Sequence, residues 1–190
     1  MEHLTTAALE AGLGHIYQSP PDRGRVELIV RRPARSEREV LAEGTLDAIV
    51  GLVGDTWDRR PSTRTADGSP HPDMQLNVMN ARVAALVAGP PDRWSLAGDQ
   101  FYVDLDLSEG NLPPGTRLEL GAAVIEVTAQ PHLGCAKFRA RFGRDAMRFV
   151  NTAEGRALRL RGMNAKVVTG GVVRPGDIVR KTTDRPSASE

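Results

Sequence analysis

The stretch Ala122-Ala123-Val124-Ile125-Glu126-Val127-Thr128 leads through Ala129-Gln130-Pro131-His132-Leu133-Gly134 to Cys135, and then into Ala136-Lys137-Phe138-Arg139. Its first part is a strand-like run rich in branched residues. Pro131 and Gly134 break the chain. Beyond them Phe138, Phe142, Ala146 and Phe149 recur at helical spacing, which predicts a helix over 136–150 with that stripe inward. The single cysteine of the chain therefore falls at a strand-to-helix turn. Unpaired backbone N–H groups and the helix dipole favour negative charge there. A thiolate is both a nucleophile and a soft metal ligand, so Cys135 is the candidate reactive residue. The alternative is a cysteine that serves as a small buried hydrophobe.

Working outward, 117–120 and 124–127 flank Gly121 and read as a hairpin. Residues 165–169 and 171–173 meet at Gly170-Gly171, a second hairpin signal, and Pro175-Gly176-Asp177 turns into a last strand at 178–180. Toward the N-terminus, 25–31, 74–80 and 101–107 read as strands, 45–53 as a strand or short helix, and 36–41 as a polar turn. Short helices are expected within 4–17, 81–88 and 152–160. Many short strands separated by Gly and Pro turns predict a mainly β fold, an antiparallel β-barrel with several short peripheral helices. The expected organisation is an N-terminal helical extension at 1–24, a barrel domain at 25–180 and a disordered polar tail at 181–190.

A chain of 190 residues fits one domain with short additions. Its 25 basic and 24 acidic residues give no general attraction to nucleic acid or to an anionic membrane, so neither is an expected partner. The longest apolar runs fall far short of the ~20 residues of a membrane span. The N-terminus lacks a basic region followed by an apolar run, so no signal peptide is expected. One cysteine excludes an intramolecular disulfide and suits a reducing cytoplasm.

Charge is informative locally. The loop 55–73 carries Arg59, Arg60, Arg64 and His71, which suits either an anion or plain solvation. Lys137, Arg141, Arg144 and Arg148 follow helical spacing beside the apolar stripe, either as a solvated face or as an anion-binding one. His132 lies three residues before Cys135, but a structural zinc site needs four ligands and no second cysteine pair exists. A cysteine nucleophile with His71 or His132 as base is a further alternative. Glycine-rich phosphate loops are absent.

Gly98-Asp99-Gln100, Asp104-Leu105-Asp106-Leu107-Ser108, residues 118–128, Pro131-His132-x-Gly134-Cys135-x-Lys137-Phe138 and Gly176-Asp177 together resemble a MOSC domain, over roughly residues 25–180. The segment Gly51-Leu52-Val53-Gly54-Asp55 resembles that family's Gly-Leu-x-x-Asp start. The resemblance implies a β-barrel with peripheral helices. It implies that Cys135 either ligates the molybdenum of a pterin cofactor (molybdopterin) or carries sulfur as a persulfide. It also implies cofactor contacts from Gly98, Asp99, Gln100, Gly134 and Lys137, with His132 joining Cys135 in catalysis. The activity implied is an oxidoreductase acting on small N-hydroxylated compounds and served by an electron-transfer protein. The alternative is a non-catalytic sulfur carrier or cofactor-delivery protein served by a sulfur-donor protein. Many relatives carry arginine where this chain has His132, and Gly-Glu-Asn where it has Gly98-Asp99-Gln100. The aminotransferase-like domain of the cofactor sulfurases is missing, so pyridoxal phosphate is not expected.

Overall fold

The computed structural model describes residues 3–182. In chain order its strands are β1 (Arg23–Arg31), β2 (Glu39–Leu41), β3 (Gly44–Asp47), β4 (Gly51–Leu52), β5 (Leu76–Asn80) and β6 (Phe101–Asp104). They continue as β7 (Arg117–Leu120), β8 (Ala123–Val127), β9 (Met163–Thr169), β10 (Gly171–Val173) and β11 (Ile178–Lys181). The helices are α1 (Thr6–Ala11), α2 (Leu13–Ile16), α3 (Ala81–Ala88), α4 (Ala136–Asn151) and α5 (Ala153–Ala157). One sheet runs β11-β7-β8-β9-β5-β6-β1-β2, and β11 also pairs with β1. Seven strands thus close a barrel, and β2 hangs outside it on β1.

The expected barrel is present, with two corrections to its wiring. It is mixed, because β5 and β6 run parallel with Val78 opposite Phe101. A parallel pair needs a crossover, which α3 and the 3₁₀ turn Pro91–Ala97 supply. The second correction concerns Gly170-Gly171, which joins β9 and β10 without making a hairpin. β10 leaves the barrel wall and pairs with β3 in a small sheet ordered β10-β3-β4. That pairing buries Leu46 and Val173 in the barrel interior, which a β9–β10 hairpin would not do. The stretch 45–53 is itself a tight β3–β4 hairpin, and Asp47 Oδ1 accepts from the N–H groups of Ile49 and Val50 at its turn.

Two apolar layers hold the fold. The barrel interior is aliphatic, with Ile29, Leu52, Leu76, Leu105, Ile125 and Ala165 around Phe101. A second layer lies between the barrel wall and the helices, where Leu9, Val83, Trp94, Tyr102, Phe138 and Phe149 are buried. Successive strand residues face opposite sides, so β6 sends Phe101 and Val103 inward and Tyr102 out to the helices. Burying one such side chain stabilises by about 1.5–3 kcal/mol, so the helical layer is part of the core. The N-terminal extension contributes Leu9 and Ile16 to it.

α4 spans 16 residues but breaks at Gly143, whose φ of 91° and ψ of 171° are not helical. A straight helix of that length would hold its ends about 22 Å apart. Instead Gly134, just before the helix, meets Asn151 at its end. The two arms, 136–142 and 144–151, fold back on each other. All four residues of the apolar stripe are still buried. The basic stripe is not continuous, because Lys137 and Arg141 stand on one arm and Arg144 and Arg148 on the other. No helix among the described residues is long and apolar enough to cross a membrane. Lys181 and Thr182 belong to the barrel, whereas 183–190, most of the expected tail, lie outside the described residues.

Candidate functional site

One end of the barrel is polar inside. Five residues supply it from strand ends and the turns beside them: Gln75, Asn77, Gln100, Thr128 and Asn164, all buried. Gln100 is fully committed there. Its Oε1 accepts from the Asn77 N–H at 2.8 Å and its Nε2 donates to the Gln75 carbonyl at 3.0 Å, cross-linking the approaches to β5 and β6.

Asp99 is the centre of the first cluster. Its side chain is wholly buried. Arg161 Nη1 donates to both carboxylate oxygens at 2.9 and 2.7 Å, and Arg161 Nη2 donates to the Ala97 carbonyl. The remaining Arg161 nitrogen, Nε, is buried without a partner, while its guanidinium carbon sits 5.1 Å above the Phe138 ring. His132 Nε2 lies 3.0 Å from Asp99 Oδ1. Burial alone would raise the Asp99 carboxyl; Arg161 and His132 outweigh it and hold the group below its ordinary value. Burial, then Arg161, push the His132 imidazole down. The pair is therefore an ionised Asp99 and a neutral His132. Asp99 accepts from His132 Nε2–H, which leaves Nδ1 as the acceptor, 3.5 Å from Asn77 Nδ2.

A second buried pair joins Arg32 to Asp55. Arg32 donates from Nε and Nη2 to the two Asp55 oxygens, each at 2.8 Å, and from its backbone N–H at 3.0 Å. Arg32 Nη1 reaches Asn77 Oδ1 and the Gly98 carbonyl. Asn77 donates on to Asn164, and Asn164 to the Gln130 carbonyl. A continuous polar belt thus ties the loop after β4 to the segment 130–135. Gly98 makes this possible: at φ +93° it turns the chain out of the 3₁₀ turn and directs its carbonyl at Arg32.

Beside the belt the loop 55–73 roofs a cavity of about 310 Å³ lined by Arg32, Trp57, Arg60, Arg64, His71 and Asn77. Three of these are arginines and none is a carboxylate. Arg60 lies 3.6 Å from Asp55, which is already taken by Arg32. Burial and the neighbouring Arg32 bring Arg60 down to about 10. Arg38 continues the positive arc. A β-carbon at Gly98 would lie 3.3 Å from its Nη2 and 3.8 Å from Arg141 Nη1, so the two guanidiniums converge there. Burial, Arg141 and Arg32 all press Arg38 down, and its Nε is buried without a partner. Among the described residues neither Arg38 nor Arg141 has a carboxylate partner. Arg64 Nη1 donates to Gln130 Oε1 at 3.1 Å, which fastens the loop to the cysteine segment.

Cys135 is the N-cap residue of α4, as expected, and it is exposed. Its sulfur makes no hydrogen bond to His132 or His71, so no cysteine–histidine dyad forms. His71 Nδ1 instead accepts from the Asp73 N–H, capping the turn Pro72–Met74. Gly134 is held on both sides: its N–H donates to Asn151 Oδ1 at 3.0 Å and its carbonyl accepts from Asn151 Nδ2 at 3.2 Å. The structure brings Gly98, Asp99, Gln100 and His132 together, with Gly134 and Cys135 on the adjoining turn. Lys137 stands apart, exposed on the first arm of α4. Arg59 also stays out of the cavity lining and pairs with Asp58. Among the described residues no group of three or more His, Cys, Asp or Glu side chains could hold a metal ion.

Arg161, Arg32 and Asn77 were not singled out in the sequence, and Asp55 entered only as the last residue of the Gly-Leu-x-x-Asp segment. The one signal for Arg161 is a charge set between Leu160 and Gly162 at the entry to a strand.

The MOSC domain model matches residues 75–180, more than half of the chain. No curated protein matches. Among solved structures, the YUAD protein from Bacillus subtilis superposes with a TM-score of 0.59 at 16% identity, covering 86% of this chain and 97% of that one. YiiM from Geobacillus stearothermophilus gives 0.56 at 15% identity over 87% and 77% of the two chains. YiiM from Escherichia coli gives 0.54 at 19% over 86% and 72%. At these identities the neighbours establish the fold alone. The family match, carried by the barrel wall from Gln75 to Arg180 and the cysteine turn within it, means that the chain belongs to the MOSC domain family.

Proposed function

We propose that this protein binds molybdenum cofactor and acts as an oxidoreductase on small N-hydroxylated compounds. MOSC domains are a family associated with that cofactor. The observation that carries the reading is the arginine-lined cavity roofed by the loop 55–73, tied through Gln130 to the turn that presents Cys135. Its donor set fits the group on physical grounds. A phosphate-bearing pterin is an anion, and the lining offers Arg60 and Arg64, beside Arg32 already paired with Asp55, with no carboxylate of its own. Cys135 supplies a soft, exposed sulfur for the metal.

When bound, the molybdenum supplies two-electron chemistry. The rest falls to the chain. Arg60 and Arg64 neutralise the anion. Cys135 would hold the metal through its sulfur. Asp99 fixes His132 in one tautomer, so Nδ1 is the atom that can hold a proton near the site. Reduction of an N-hydroxylated substrate takes up two electrons and two protons, breaks the N–O bond and releases water. The electrons come from an electron-transfer protein. The test is metal analysis of the full chain purified from a host that makes the cofactor. Wild type should carry molybdenum, and Cys135→Ser and Arg60→Ala should each lose most of it. Equal, negligible metal in wild type and Cys135→Ser overturns the reading.

The exposure of Cys135 favours a second reading, a sulfur carrier. Its thiolate would attack the outer sulfur of a desulfurase persulfide, forming the Cys135 persulfide and releasing the desulfurase thiolate. Mass spectrometry after incubation with a cysteine desulfurase should find one added sulfur on the Cys135 peptide. An unmodified peptide rejects this reading.

A further inference from the structure

A second cavity lies on the other flank of the segment 130–135. It has a volume of about 290 Å³, and Pro131, His132, Leu133, Val150, Arg159 and Met163 contribute to its walls. We infer that it is a binding site for a small monocarboxylic acid, the carboxylate held by Arg159 and the apolar body lying against Pro131, Leu133, Val150 and Met163. The site does not depend on what Cys135 carries.

Three observations converge on this ligand. The first is the wall chemistry. Val150 and Met163 are buried, whereas Leu133 is a large apolar residue left 41% exposed at the opening. An apolar body seated there removes Leu133 from water.

The second observation is Arg159. It is half-buried, and among the described residues it has no ion pair. Its Nη1 is anchored at 2.7 Å on the Leu112 carbonyl, at the edge of the loop before β7. Its Nε and Nη2 have no acceptor among the described residues, so they remain available. Burial lowers this guanidinium and Glu109 acts against it, which marks a cation whose charge is incompletely compensated. The backbone at Arg159 is also left-handed, with φ of 48°, a strained conformation for a side chain of this size. That turn is closed by the Gly162 N–H on the Arg159 carbonyl, and it is what delivers the guanidinium to the cavity wall.

The third observation sets the charge of the ligand. Glu109, the carboxylate among the lining residues, is exposed. The lining also carries Arg156, whose Nε donates to the Asn151 carbonyl, so two arginines and one carboxylate leave a net charge of +1. One carboxylate balances that charge, and a dianion exceeds it. The volume is at the lower end of the range for ligand sites, which limits the acid to about the size of a benzoate or a short branched acid.

The test uses the full chain labelled with ¹⁵N and three probes: benzoate, benzamide and inorganic phosphate. Benzoate should shift the amides of Leu133, Gly162 and Met163 saturably at millimolar concentration. Benzamide, equal in shape but uncharged, should bind about tenfold more weakly or worse, the loss of a charge-assisted hydrogen bond. Phosphate should leave these amides unmoved. Arg159→Lys keeps a donor for the Leu112 carbonyl but loses the fork, and should weaken benzoate by about tenfold. Leu133→Asp, at an exposed position, should abolish binding without altering the fold. The inference is overturned if benzoate gives no saturable shift at these amides, if benzamide or phosphate binds there equally well, or if Leu133→Asp binds benzoate as wild type does.

Discussion

Asp99 and Arg38 stand on either side of Gly98 and show opposite ways of burying charge. Around Asp99, one carboxylate meets one arginine in a two-pronged contact and one neutral histidine, and the helical layer closes over all three. Around Arg38, guanidiniums converge with no acid between them. The first arrangement balances its charges and leaves only Arg161 Nε without a partner. It fixes a turn, a tautomer and the seam between barrel and helices. The second holds like charges close together, which an anion would neutralise. A buried charge beside its counter-charge is a fastening; one without it is a candidate anion site.

Three experiments break or sharpen that contrast. Asp99→Ala leaves Arg161 buried with no counter-charge and should destabilise the protein by about 3–5 kcal/mol in urea unfolding. A loss under about 1 kcal/mol would mean that water already compensates Arg161, and the cluster does not balance its charges alone. A smaller effect comes from pH. The unfolded chain protonates His132 near its ordinary value of 6.5, while the folded protein resists. Stability is therefore full above that value and falls as pH drops below it, and acid uptake by Asp99 adds to the loss at still lower pH. His132→Gln should flatten the loss between about pH 7 and pH 5 in urea midpoints. The smallest change is expected at Arg38. Arg38→Gln should leave stability within about 1 kcal/mol of wild type or raise it, since it removes repulsion and no ion pair. Phosphate should raise the melting temperature of wild type, and Arg38→Gln should reduce that rise. A large destabilisation by Arg38→Gln would put it in the same class as Asp99.

The parts of this molecule that local pattern controls were readable. The hairpin around Gly121, the helix 81–88, the apolar stripe of α4 and the cysteine at its start all follow from spacing and turn residues. What could not be read depends on distant partners. Asp99 and Arg161 lie 62 residues apart, and Arg32 and Asp55 lie 23 apart on either side of a hairpin. Nothing local marks them, because a buried arginine and a solvated one look alike in sequence. The Gly170-Gly171 hairpin failed for a related reason: a turn signal says that the chain can reverse, not which strand it will meet. The folding back of α4 at Gly143 likewise depended on a distant contact, Gly134 with Asn151.

That last contact has a further consequence. The Asn151 side-chain amide engages the main chain of Gly134 as a neighbouring strand would, with one bond given and one received. It acts as a strand one residue long. The backbone next to the thiol is thus already ordered before anything arrives at the sulfur. A metal or a sulfur donor approaching Cys135 would meet a frame that does not have to be frozen first, because the conformational entropy such a step would cost was spent when α4 folded.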